Sequence, residues 1–205
     1  MRTLLFPMMM FLGAVLVGCA STSAGRIKKQ GTPQAPSPPQ SFIPAAGQTF
    51  YLDLDTAEGT FSRWGHNDLG GMSAMRATVR IPRLRKDPKW NPAFTLWLEQ
   101  NETVQARHKI GLQFVAPDRE PPLVISVVQG EDGELVSTET LDRTLALNES
   151  LIVEMTWLTP HVVKIRFGDS EVHEVNIPWS IDSVGVTAST GELIIDPLVL
   201  GGPSK

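Results

Sequence analysis

Cys19 is the only cysteine in a chain of 205 residues, and His66, His108, His161 and His173 stand far apart with no close pair among them. An intrachain disulfide needs a second thiol and is excluded. A structural zinc site needs several Cys or His ligands at short spacing, and no such cluster occurs. A catalytic thiol needs a neighbouring base in a folded pocket, yet Cys19 precedes every segment patterned to fold. Covalent attachment of lipid is the chemistry left to it. No cofactor motif or dense run of metal ligands appears elsewhere, so neither a cofactor nor a bound metal is expected.

Two other sets of residues are equipped to bind a ligand. The first is aromatic. Trp97 lies in AFTLWLE, where alternation groups it with Thr95 and Glu99 and away from Phe94, Leu96 and Leu98. An indole on a polar face suits stacking on a sugar ring, with its N–H left to donate; the alternative is a Trp97 covered by a loop. Trp64 and Trp90 fall in SRWGHNDLGG and DPKWNP, which read as loops that either rim a groove or plug the ends of the domain. The second set is cationic: Arg76, Arg80, Arg83, Arg85, Lys86 and Lys89 crowd into one short stretch with Asp87 as its only acid. They form either a positive patch for an acidic ligand or a solvated face paired with acids of neighbouring strands.

The elements that position these residues begin after a leader. Arg2 precedes an uncharged, nearly all-apolar run from Leu4 to Gly18, shorter than the roughly 20 residues that span a bilayer but suited to a signal peptide. Leu16-Val17-Gly18-Cys19 resembles the bacterial lipobox. The resemblance implies that residues 1–18 are removed, that Cys19 is acylated and that the new amino terminus is acylated too. More than one chain makes a stable anchor. Ala20, where proteins of that class kept in the inner membrane often carry Asp, implies the outer membrane, on its periplasmic face. Residues 19–48 are rich in Pro, Ser, Gln and Gly, which predicts a disordered tether with a reach of about 30 Å. Without Arg2 the chain carries 17 basic against 22 acidic residues and has no nucleic-acid-binding motif, so nucleic acid is not an expected partner.

Residues 49–201 are enough for one core and alternate with period two nearly throughout. Met75, Ala77, Val79 and Ile81 oppose Arg76, Thr78 and Arg80; Leu151, Val153, Met155 and Trp157 oppose Glu154 and Thr156; Val163, Ile165 and Phe167 oppose Lys164 and Arg166. With FYLDLD, HKIGLQFVA, LVISVVQ, EVHEVNI, SVGVTAS and ELIIDPLVL, and turn signals between them, about ten short strands are predicted. The pattern points to an all-β, two-sheet antiparallel sandwich, with a closed barrel as the other arrangement. The last strand is placed to pair with the first.

Ala77 to Pro82, followed by Trp90, Pro92, Ala93, Phe94, Trp97 and Leu98, resembles a stretch of the concanavalin-A-like jelly rolls, above all the family-16 glycoside hydrolases. EMTWLTPHVVKIRFGDSEV and VTASTGELIIDPLVLG are similar to the ending of laminin-G-like domains. The hydrolase resemblance implies an E-x-D-x-x-E strand after the Trp97 strand, since retaining glycosidases flank the scissile bond with two carboxylates. That strand here offers Lys109, Gly111 and Gln113, while Glu99 and Glu102 stand earlier, near a predicted turn. The resemblance therefore implies a lectin-like sandwich without those acids, leaning away from catalysis. Trp97, Trp64, Trp90, Arg76, Arg80 and Arg83 are its candidate ligand-binding residues. The partners expected are the membrane, through Cys19, and an envelope polysaccharide or envelope protein.

Overall fold

Alternating apolar side chains in β-branched and aromatic-rich runs form twelve strands, and no helix occurs among the described residues. The computed structural model describes residues 45–101, 106–159, 161–170 and 172–202. Cys19, Glu102, the signal peptide and nearly all of the linker lie outside the described residues. The strands are β1 (Ala45–Asp55), β2 (Phe61–His66), β3 (Ala74–Leu84), β4 (Ala93–Asn101), β5 (Ala106–Val115), β6 (Leu123–Glu131), β7 (Glu134–Leu145), β8 (Ser150–Thr159), β9 (Val162–Phe167), β10 (His173–Asn176), β11 (Ser183–Ser189) and β12 (Gly191–Gly202). They make two antiparallel sheets of six, ordered β1-β12-β3-β8-β9-β10 and β2-β11-β4-β5-β6-β7. The architecture is a two-sheet sandwich, not a closed barrel.

Every residue assigned to the apolar side of β3, β4, β8 and β9 is buried in the shared core. Each fully buried Leu, Ile or Phe contributes about 1.5–3 kcal/mol against exposure, so the alternation that writes the strands also holds the sheets together. β1 and β12 pair along their length, from Ala45 beside Gly202 to Asp55 beside Glu192, which ties the two ends of the domain together. The register of β12 against β3 shifts between Ile195 and Leu198. That bulge accommodates Pro197 inside the strand and moves the inward set from Leu193 and Ile195 to Leu198 and Leu200. Between β6 and β7, Asp132 (φ 49°) and Gly133 (φ 91°) form a two-residue hairpin loop, the conformation whose twist suits paired strands and for which Asp-Gly is a favoured sequence.

Two strands were not legible in the pattern. Trp64 belongs to β2, not to a loop, and β7 occupies Glu134–Leu145, a stretch outside the predicted strands. Each is an edge strand of the second sheet.

Candidate functional site

The outer face of the second sheet is built from side chains that alternate away from the core. In register across the strands lie Gly65, Gly185, Trp97 and Gly111; on one side of that row lie Arg63, Thr187, Thr95 and Gln113, and on the other Ser183, Glu99 and Lys109. Glycines on both sides of Trp97 decide how the face is assembled. A Cβ on Gly111 would stand 2.5 Å from Cε3 of the indole and 2.8 Å from Cγ2 of Thr95, so only glycine lets the ring lie flat on the backbone of β5. A Cβ on Gly185 would stand 3.2 Å from Oε2 of Glu99. Its absence lets Glu99 of β4 reach across β11 to Arg63 of β2.

Three interactions fix this surface. The indole N–H of Trp97 donates to Oγ1 of Thr187 at 3.0 Å. The Lys109 ammonium sits 4.6 Å from the centroid of the same ring, a cation–π contact. Arg63 donates to Glu99 at 2.5 Å, its side chain 45% exposed and that of Glu99 only 2%. Burial pushes the Glu99 carboxyl up from the ordinary carboxylate value, against the pull of the Arg63 and Lys109 cations. Burial likewise draws the Lys109 ammonium down, and Glu99 opposes that shift. The outcome is a sheet face held in place by buried Trp97, Thr95 and Glu99, on which Arg63, Lys109, Thr187 and Gln113 keep some exposure.

Trp97 does point away from Phe94, Leu96 and Leu98, but the residue is only 6% exposed, with Lys109 over its ring, instead of standing open. No loop has to cover it: Lys109, Thr95 and Thr187 of the sheet itself close around it. Glu99 lies within β4, directly opposite Lys109, and not in a turn.

The other predicted residues are dispersed. Arg76 and Arg80 belong to β3 of the first sheet, so the core separates them from Trp97. Glu154 of β8 stands between Arg76 and Arg166 of β9 in one cross-strand row, with Arg76 Nε at 3.6 Å and Arg166 Nε at 2.8 Å. Arg83 pairs with Asp55 at 3.2 Å and Glu192 at 3.1 Å, Arg85 with Asp55 at 2.6 Å, and Lys86 with Glu120 at 3.1 Å. The cationic stretch is therefore largely matched by acids of neighbouring strands and loops. Trp64 packs against the core edge-on to Phe50, centroids 5.0 Å apart, and parallel to His66; it closes the lateral edge between β1 and β2. Trp90 is 57% exposed in the β3–β4 loop, where Asp87 accepts hydrogen bonds from the backbone N–H groups of Lys89 and Trp90.

Pattern reasoning missed Arg63, because its strand reads as a loop, and it weighed Lys109 and Gly111 only as absent acids. A glycine inside HKIGLQF was a usable sign, since an isolated glycine in a strand marks a close approach.

No protein-family model matches the chain, and no curated protein matches it by sequence. Solved structures do match in shape. A galectin of Caenorhabditis elegans, LEC-6, aligns with 75% of this chain and 95% of its own at 9% identity and a TM-score of 0.51. The Bacillus licheniformis β-glucanase aligns with 74% of this chain and 77% of its own, at 9% identity and a TM-score of 0.50. A structure from work on endo-acting O-glycanases of the human gut microbiota aligns with 76% of this chain and 80% of its own, also at 9% identity and 0.50. At such identities the likeness establishes the fold: the chain carries the jelly-roll sandwich shared by lectins and glucanases.

Proposed function

We propose that this protein is a lipid-anchored envelope protein whose sandwich binds a glycan without cleaving it. The observation that carries the reading is the fixed polar face on β2, β11, β4 and β5. Arg63, Lys109, Thr187 and Gln113 offer donors and acceptors at strand spacing, on a rigid sheet that loses little entropy when a ligand settles. An extended polysaccharide, rich in hydroxyl groups that both donate and accept, is the ligand class that matches. Lysine, glycine and glutamine occupy the outer positions of β5 where the glucanase resemblance would put acids, and Glu99 is tied to Arg63, which supports binding over hydrolysis. Anchoring through Cys19, in the outer membrane and facing the periplasm, rests on the lipobox resemblance.

An array of bacterial envelope polysaccharides probed with the purified chain tests this. Retention of at least one glycan is expected, with loss in Arg63→Ala and Lys109→Ala. Failure to retain any of them, or retention untouched by both substitutions, rejects the reading. A second reading, an assembly protein that docks on another envelope protein, is favoured by edge strand β7, where Leu135 and Val136 are exposed. A stoichiometric protein partner recovered after crosslinking, in place of a saccharide, would establish that reading.

A further inference from the structure

The two lateral edges of the sandwich are finished differently. Between β1 and β2 the aromatic group of Phe50, Trp64 and His66 fills the gap. Between β7 and the β9–β10 hairpin the gap stays open as a pocket of about 390 Å³, lined by Leu141, Asp142, Arg143, Phe167, Ser170, Val172 and His173. That volume lies within the roughly 300–1,000 Å³ of small-molecule sites.

The chemistry of the lining is specific. Arg143, on the inward side of β7, places its guanidinium over the Phe167 ring, 5.0 Å from the centroid. A guanidinium placed over a ring keeps the N–H groups that do not face the ring free to donate to a carboxylate. Its hydrogen bond is to Ser170 Oγ at 3.3 Å, and among the described residues no acid pairs with it. Ser170 Oγ also accepts from the Phe167 N–H, so its own hydrogen can be donated. His173 Nε2 is buried without a hydrogen bond, 3.5 Å from Glu139 Oε2. Three apolar walls, Leu141, Phe167 and Val172, complete the pocket.

We propose that this pocket binds a small monocarboxylate, with its carboxylate on Arg143 and Ser170 and its carbon skeleton against Phe167 and Val172. Asp142, which also lines the pocket, and Glu139 beside His173 select against a second negative charge. The carboxylate belongs either to an acidic sugar or to an amino-acid derivative; the two share the chemistry the pocket recognises. The site is remote from the polar face of the second sheet and does not depend on the function proposed for it.

Isothermal titration of the full chain with glucuronate, N-acetylalanine, glucose and inorganic phosphate tests this. One or both monocarboxylates are expected to bind, with glucose and phosphate far weaker. Arg143→Gln is expected to weaken binding about 10- to 100-fold, the size of a charge-assisted hydrogen-bond pair. Binding by glucuronate alone assigns the ligand as a sugar acid, and binding by N-acetylalanine alone assigns it as an amino-acid derivative. Equal binding of glucose, absence of binding by both carboxylates, or an affinity unchanged in Arg143→Gln overturns the proposal. Should Arg143→Gln fail to fold, weaker binding by Ser170→Ala and carboxylate-induced NMR shifts at Ser170 and His173 support the site, and the absence of both overturns it. Arg63→Ala, which disables the polar face, is expected to leave this binding intact.

Discussion

Folding takes the Glu99 carboxylate out of water and sets it near two cations, and the cost of burial outweighs their attraction, so the group binds its proton more tightly folded than unfolded. The sign of the linkage follows: its contribution to stability is full below the unfolded value of 4.5 and is lost as pH rises through the higher folded value. Lys109, shifted down by burial, behaves conversely; its contribution is full above 10.5 and lost as pH falls through the folded value. Urea unfolding of the native chain and Glu99→Gln, compared at each pH, is expected to show the difference moving in favour of the native chain as pH falls from 7 to 4.5. A difference independent of pH would contradict this account. Gly111 offers a steric counterpart. Alanine there meets the indole at 2.5 Å, so Gly111→Ala should cost about 1–3 kcal/mol by overpacking. It should also shift the Trp97 indole N–H resonance, since the ring has to leave Thr187; an unmoved resonance with unchanged stability would show that the ring does not depend on the glycine.

At the scale of elements, two tryptophans that read alike in the sequence have opposite settings. Trp64 is part of β2 and packs on Phe50, His66 and the core, whereas Trp90 stands in a loop and is largely exposed. Trp64→Ala should cost about 2–3 kcal/mol, somewhat below a fully buried tryptophan, and Trp90→Ala within about 0.5 kcal/mol. Denaturant midpoints compared at equal m-values distinguish this from a plug at each end. The difference shows what local pattern contains. β3, β4, β8 and β9 bury one side fully, so their apolar residues repeat strictly every second position and announce the strand. β2 faces inward with Ser62, Trp64 and His66, and the first seven residues of β7 are exposed on both sides; neither edge strand carries an apolar period, so β2 reads as a loop and β7 is not among the predicted strands. The site was harder still to read. The direction of Trp97 follows from its own strand, but its burial depends on Gly111, Lys109 and Thr187, which the register brings in from β5 and β11. The partners of Arg83 and Arg76, Asp55, Glu192 and Glu154, are likewise set by pairing between strands distant in sequence.

For the molecule as a whole, the proposed function assigns attachment and recognition to different parts of the chain. The chain enters the sandwich at Ala45 on β1, which is an edge strand of the first sheet. The polar face assigned to the glycan belongs to β2, β11, β4 and β5 of the second sheet, and β1 contributes no residue to it. Under the proposed function, then, the lipid on Cys19 sets where the protein resides, while the second sheet sets what it holds. Cys19→Ser is expected to move the protein from the membrane to the soluble fraction and to leave its affinity for a retained glycan unchanged. Continued fractionation with membranes would reject the lipid anchor. Release accompanied by loss of glycan affinity would show that recognition needs the bilayer, and would shift the binding surface away from the second sheet toward the side at which the chain enters.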